Sequence, residues 1–498
     1  MTAPQETLIE RLEEGMKSKI SNCLLCLLFF SLSCVTAGAE APYQNYIYSF
    51  DGEPQAECQA YLPTGVVTGN SLGTKDFNQP EDIFAADNGK VYIADTGNNR
   101  ILILTADMKL ESIIEAFGDK NNDRFNNPCG VFVTPENELY VADTDNSRIV
   151  VFDENRQLRV IYNTPDSDML VTPFQPLKTA VDLYGRMYVV SRGCEKGFIQ
   201  LEKDGTFLSY YGAIQTTLSP SEALWRLFMT EEQKRRTAKN TPTVYSNVVV
   251  DRDGFVFGTV SAAGGIYDAS VMIRKLNPLG VDILKRDGVF GPRGDIELKD
   301  ADGQKIYSKF VDISVRKNGV YSVLDSEKKR IFTYDCSGDL MYVFGAKGAQ
   351  LGTFDEPAGM DITPWGDYFV IDSKYNHVVI FKPTEYALLL DEAIEFQYRR
   401  NYIEAEKKWN DVLKYTSKSD LAYNNLGKIM MVFEKYEDAL FYFKLGSDRE
   451  YYSAAFKYYR KLLLNDYFHL LFAGLVVVIV GIISLRLFLK WKRKKAIL

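Results

Sequence analysis

The chain has 498 residues, 46% of them hydrophobic and 25% charged, which allows two or three domains and excludes long disordered stretches. A net charge of −8 and a pI near 5.2 exclude a basic nucleic-acid-binding surface. There are only two histidines, His377 and His469, and of the seven cysteines the four outside the N-terminal apolar stretch show neither CxxC nor zinc-like spacing. Beyond the N-terminal stretch the cysteines (Cys58, Cys129, Cys194 and Cys336) are scattered, as isolated core or loop thiols are.

Lys17 and Lys19 precede the apolar run Cys23–Cys34, and Ala37-Gly38-Ala39 then offers a small-residue cleavage motif, so residues 1–39 read as a signal-peptide region. The polar, acidic residues 1–15 are unusual ahead of such a leader, and Met16 is an alternative start.

From about residue 65 to 382 the chain repeats itself. Phe77 with Pro80, Phe125 with Pro128, and Phe354 with Pro357 open three units, and the shorter Phe174-Gln175-Pro176 opens another. Fifteen residues after each proline a β-rich run ends, at Asp95, Asp143, Ser191 and Asp372. Five residues later stand Arg100, Arg148 and, in the last of these units, His377; Asp325 is followed in the same way by Arg330. Unit starts near 77, 125, 174, 242, 307 and 354 give six units of four short β segments each. Two inserts interrupt them: Leu218–Thr241, with two capping-box patterns, is expected to be a helical lid, and Asp287–Ile306 a loop.

Asp95-Thr-Gly-Asn-Asn-Arg100 and Asp143-Thr-Asp-Asn-Ser-Arg148, with proline fifteen residues upstream, resemble the NHL repeat. Asp325-Ser-Glu-Lys-Lys-Arg330 matches less well, unit three departs at Ser191-Arg192, and unit four has lost the turn. The resemblance implies a mainly β fold, a six-bladed β-propeller over residues 40–385, in a bacterial extracytoplasmic setting that fits transport or envelope machinery. The turn residues Asp95, Arg100, Asp143, Arg148, Asp325, Arg330 and Asp372 are expected to be structural, with Asp and Arg pairing across the hairpin. Unit six lacks its outer strand, and Gly65–Gly69 is expected to supply it, because an open propeller would leave sheet edges free.

Two positions past each proline, or its equivalent, come Asp82, Gly130, Lys178, Asn247, Asp312 and Gly359, which the pattern turns toward the axial channel. Asp82, Lys178, Asn247 and Asp312 are thus the ligand-channel candidates. They allow a solvated rim, a site for a polar ligand, or a Ca²⁺-type site built from hard oxygen ligands. No catalytic set, cofactor motif or metal-binding set is found, and no histidine lies between residues 40 and 376. Propellers of related type include metal-dependent lactonases and lyases, so an enzyme remains one alternative and a structural spacer without a small ligand another.

Residues 386–464 switch to a helical pattern. Tyr402 and Tyr436, Ala405 and Ala439, Trp409 and Phe443, and Ala393 and Gly427 share one spacing of 34 residues, and Tyr423-Asn-Asn-Leu-Gly427 resembles the tetratricopeptide repeat. The resemblance implies two helical hairpins with a capping helix over about 447–464. The aromatics Tyr398, Tyr402, Tyr423, Phe433, Tyr436, Tyr442 and Tyr452 exceed what two hairpins bury, so the module is expected to dock a protein partner near a membrane or, alternatively, to pack against its own propeller. Tyr467–Leu485 contains no Asp, Glu, Lys or Arg, so 467–489 read as a transmembrane helix and 490–498 as a basic cytoplasmic tail. The whole reads as a single-pass membrane protein with an extracytoplasmic recognition or scaffold domain.

Overall fold

The computed structural model describes residues 41–49, 51–118, 123–213, 229–230, 243–262, 272–286, 290–296, 303 and 306–495. The chain divides into Met1–Ala41 and Pro42–Leu498, and the architecture below belongs to the second unit. The signal-peptide region and nearly all of the insert Leu218–Thr241 lie outside the described residues. The described parts of Asp287–Ile306 carry neither helix nor strand, as expected of a loop.

Six antiparallel sheets form six blades. Blade one, from the axis outward, is Asp82–Ala85, Val91–Asp95, Arg100–Leu104 and Leu110–Ile114; blades two, three and five repeat this order, and blade four has three described strands. Each sheet is covered on both faces by its neighbours. Its second strand is therefore buried at every position, as in Val91–Asp95 and Leu139–Asp143, and reads as a continuous apolar run rather than an alternating one. Tyr92, Ala94, Ile101 and Ile103 of blade one pack with Val131, Leu139, Val141 and Val150 of blade two in one such interface.

The inner strands begin with a device that later matters for the site. Pairing with the second strand shifts between Pro128 and Gly130, Pro176 and Lys178, Tyr245 and Asn247, Phe310 and Asp312, and Pro357 and Gly359. An inner strand is an edge strand, so proline there breaks no ladder bond, and the bulge after it re-aims the next side chain toward the axis.

Closure follows the expected route with shifted bounds. The strand Tyr61–Val67 runs antiparallel to His377–Pro383 and completes blade six, starting earlier than Gly65. Tyr61 anchors it, fully buried, with its ring stacked on Phe344 at 4.9 Å and edge-on to Tyr368 at 4.8 Å. Before it, a small hairpin (Tyr46–Tyr48 with Pro54–Ala56) packs on blade five.

Five helices follow: α1 (Glu385–Tyr398), α2 (Tyr402–Tyr415), α3 (Asp420–Val432), α4 (Tyr436–Leu445) and α5 (Arg449–Lys495). Thr384 and Ser419 cap α1 and α3 by accepting the Ala387 and Ala422 N–H groups. Ala405, Ala439, Trp409 and Phe443 are buried between the helices, and a Cβ on Gly427 would lie 2.6 Å from the Phe443 ring, so the close approach of α3 and α4 requires glycine. The helices rest on the propeller through Asp391 of α1, which pairs with Arg316 at 2.5 Å, and Lys428 of α3, which pairs with Asp339 at 2.8 Å. Arg316 also donates to the hydroxyls of Tyr61, Tyr342 and Tyr368. The last helix is 47 residues long without interruption and contains a segment long and apolar enough to cross a membrane.

Candidate functional site

The inner strands are the free edges of their blades, so part of their backbone N–H groups lack a ladder partner and must find one elsewhere. Inward-facing carboxylates of these strands provide it. Asp82 Oδ2 accepts the N–H of Val131 in the next blade at 2.7 Å, and Asp312 Oδ2 accepts that of Met360 at 2.7 Å. Asp361, two positions further along blade six than Gly359, accepts the N–H of Ala85 in blade one at 2.8 Å. Each carboxylate thereby staples its own blade to the next.

All four sequence candidates converge on one end of the axis. Asn247 Nδ2 donates to Asp312 Oδ1, and the Lys178 ammonium reaches from blade three to Asp82 of blade one. Between those blades stands Gly130, where a Cβ would come within 2.3 Å of the Leu177 carbonyl oxygen, so the inner strands of blades two and three touch directly. The expected solvated rim is not what forms. Asp82, Asn247 and Asp312 are 5%, 5% and 3% exposed, because they face one another, Lys178 and the neighbouring backbone.

This ring closes one end of a cavity of about 1190 Å³. Phe84 and Phe132, edge-to-face at 5.2 Å, line it together with Val249, Val315 and Ile362. At the opposite end the hairpin tips form a mouth. Asp87 of blade one pairs there with Arg252 of blade four at 2.5 Å, while Trp365, Tyr184 and the α1 residues Leu388 and Phe396 line the opening.

Burial pushes up the carboxyls of the closed end against the pull of Lys178 and the backbone donors, bringing Asp312 to about 8; Asp82 moves in the same direction. Burial also brings Asp361 to about 6, opposed by its hydrogen bonds from Ser314 and the backbone. For Lys178 burial works against the charge, but Asp82 and Asp312 outweigh it and hold the ammonium above its ordinary range.

Sequence reasoning missed Asp361, Ser314, Thr179 and Arg316, which line the same cavity. Counting four positions past the proline, as well as two, would have found Asp361.

The turn residues behave as structural elements in blades one and two. Arg100 Nε meets Asp95 Oδ2 at 2.7 Å and Arg148 Nε meets Asp143 Oδ2 at 2.7 Å, both pairs buried. The second oxygen of each aspartate accepts a backbone N–H from the loop preceding the proline, Asn78 or Asn126. Blade five corrects the expectation. Arg330 stands in register opposite Asp325 but donates to the Tyr46 hydroxyl at 2.7 Å and pairs with Asp295 at 3.2 Å. The N-terminal hairpin and the segment around Asp295 cover that turn and offer the guanidinium a phenol and a carboxylate together. Asp325 accepts the N–H groups of Lys309, Glu327 and Lys328 instead. In blade six, Asp372 likewise accepts backbone N–H groups, and burial lowers the pKa of His377 opposite it.

The family model for the NHL repeat matches residues 77–104 and 125–152, most of blade one and the inner three strands of blade two. The chain thus carries NHL repeats within a six-bladed propeller. No curated protein matches it. Among solved structures, a streptogramin B lyase is 10% identical, covering 65% of this chain and 98% of its own, with a TM-score of 0.39. Virginiamycin B lyase from Staphylococcus aureus is 10% identical over 65% of this chain and 99% of its own, with a TM-score of 0.37. A protein of unknown function from Bacteroides thetaiotaomicron is 11% identical over 67% of this chain and 80% of its own, with a TM-score of 0.42.

Proposed function

We propose that the protein is a membrane-anchored, extracytoplasmic binding and scaffold protein whose propeller holds a polar ligand in its axial cavity. The observation that carries this reading is the cavity of about 1190 Å³, whose closed end is built from buried charged groups rather than from packed apolar side chains. A spacer with no ligand would gain stability from an apolar plug there, since burying ions costs free energy. The ligand is held at the end of the channel that Asp82, Lys178, Asn247 and Asp312 close. The signal-peptide pattern and the basic residues after Leu485 support a propeller outside the cell membrane and a tail inside.

The helices α1–α4 act in this reading as a tetratricopeptide-like module. Because α1 and α3 are engaged by the propeller, a membrane-associated protein partner meets the outer helices, where Ile403, Phe441 and Leu445 are exposed.

Native mass spectrometry of the full-length protein, released from its own membranes, tests the ligand reading. The wild type is expected to carry a non-covalent small molecule that is lost when Lys178→Met and Asp312→Asn are combined. The same molecule retained by that double variant would move the site away from the channel. Asparagine is the right replacement for Asp312, because its side-chain oxygen can still serve the Met360 N–H; alanine would unfasten blades five and six.

A further inference from the structure

Three carboxylates, Asp82, Asp312 and Asp361, surround the closed half of the cavity, and one ammonium, Lys178, serves them. Lys178 pairs with Asp82; among the described residues neither Asp312 nor Asp361 has a cation within ion-pair distance. The imbalance extends along the whole wall, which twelve acidic and nine basic residues line. A second, independent feature lies in the same wall. Thr179, the neighbour of Lys178, is 6% exposed, and its Oγ1 has no hydrogen-bond partner among the described residues. A buried hydroxyl left without a partner forfeits the hydrogen bonds it made to water, so such groups normally face something that satisfies them.

We infer that the ligand of this cavity is a primary alkylammonium compound, whose ammonium group enters among Asp312, Asp361 and Thr179 and whose hydrocarbon part lies along Phe84, Phe132 and Val315. This rests on the ligand-binding reading above and gives it a chemical class. A primary ammonium supplies what the wall lacks: a positive charge and three N–H donors for carboxylate and hydroxyl oxygens. Lys178 is the precedent within the molecule, an ammonium on an apolar stem already seated between carboxylates. A bare metal ion fits less well, because among the described residues no three carboxylate, imidazole or thiol groups converge closely enough to hold one. Aromatic walls favour a cation over an anion through the negative faces of their rings. Without ligand, protons play the cation's part: burial pushes the Asp312 carboxyl to about 8 and that of Asp361 to about 6. The groups facing them are Asp82, Lys178, Ser314 and Asn247, and only Lys178 is cationic.

Isothermal calorimetry on the detergent-solubilised full-length protein, with putrescine and spermidine as probes and 1,4-butanediol and succinate as neutral and anionic counterparts, tests the inference. The amines are expected to saturate a single site, to bind more tightly as pH rises from 6 to 8.5, and to release protons on binding. The Asp312→Asn, Asp361→Asn double variant is expected to lose at least tenfold in amine affinity while its thermal transition stays cooperative. Saturable binding of the diol or of succinate in place of the amines would overturn the cation and leave the cavity as a ligand site. Absence of binding by every probe, or amine binding unchanged in the double variant, would also overturn the inference; the mass-spectrometric test separately decides whether a ligand occupies the channel.

Discussion

Blades two and five have the same turn, with Asp and Arg five residues apart and opposite each other in the sheet. In blade two the pair forms and is buried; in blade five the arginine turns away to Asp295 and Tyr46. The backbone register therefore does not depend on the ion pair. What the repeat specifies is a tight hairpin whose aspartate collects backbone N–H groups, and the arginine then goes to whichever acceptors cover the turn.

The largest expected effect asks whether such pairs matter beside ring closure. Deleting Ala60–Gly69 removes the strand that completes blade six and should cost much of the ~5–15 kcal/mol typical of a folded domain. Thermal melting should show an early, broad transition, and an unchanged one would mean the ring closes by other means. Next, Arg148→Ala strands the buried Asp143 carboxylate and should destabilise by about 3–5 kcal/mol in denaturant titrations. Arg330→Ala should cost only about 1–2 kcal/mol, since Asp325 does not depend on it. Equal losses in the two variants would erase the distinction between the blades. The smallest effect concerns pH. Carboxyls raised in the folded state, Asp312 to about 8 and Asp361 to about 6, bind protons that the unfolded chain has released. Their contribution is full below about pH 4 and is lost as pH rises through those values, so the ligand-free protein should melt progressively earlier between pH 5 and pH 8.5. Asp312→Asn should flatten that slope, and a slope unchanged by the substitution would rule out this carboxyl as its source.

Much of this was legible in the chain. Proline spacing and the Asp-to-Arg interval gave blade number and strand order, because they are set by local backbone geometry, and the outer strand missing from unit six pointed to the segment around Gly65–Gly69 as the one that closes the ring. Ala405, Ala439, Trp409 and Phe443 were recognisable as helix contacts for the same reason. The site was legible only by halves. That Asp82, Lys178, Asn247 and Asp312 share one end followed from counting, but their burial and their role as staples depend on bulges and on the neighbouring blade. The desertion of Asp325 by Arg330 depends on Asp295 and Tyr46, one 35 and the other 284 residues away, and no local pattern carries contacts of that range.

The helix α5 has a mechanical consequence. At ~1.5 Å per residue its 47 residues make a rod of about 70 Å, and it contains no proline. Its first turns pack against the preceding helices: Tyr451 stacks on Phe443 of α4 and lies 5.0 Å from the Lys428 ammonium that is fastened to blade five. Its last turns carry the basic residues Lys490 to Lys495. Neither a proline nor a break in the helix separates the two, so a helix that stays straight gives the propeller the heading of the apolar stretch. Whatever tilts or turns the apolar stretch swings the cavity mouth with it, and a load on the propeller arrives at the basic end as a torque.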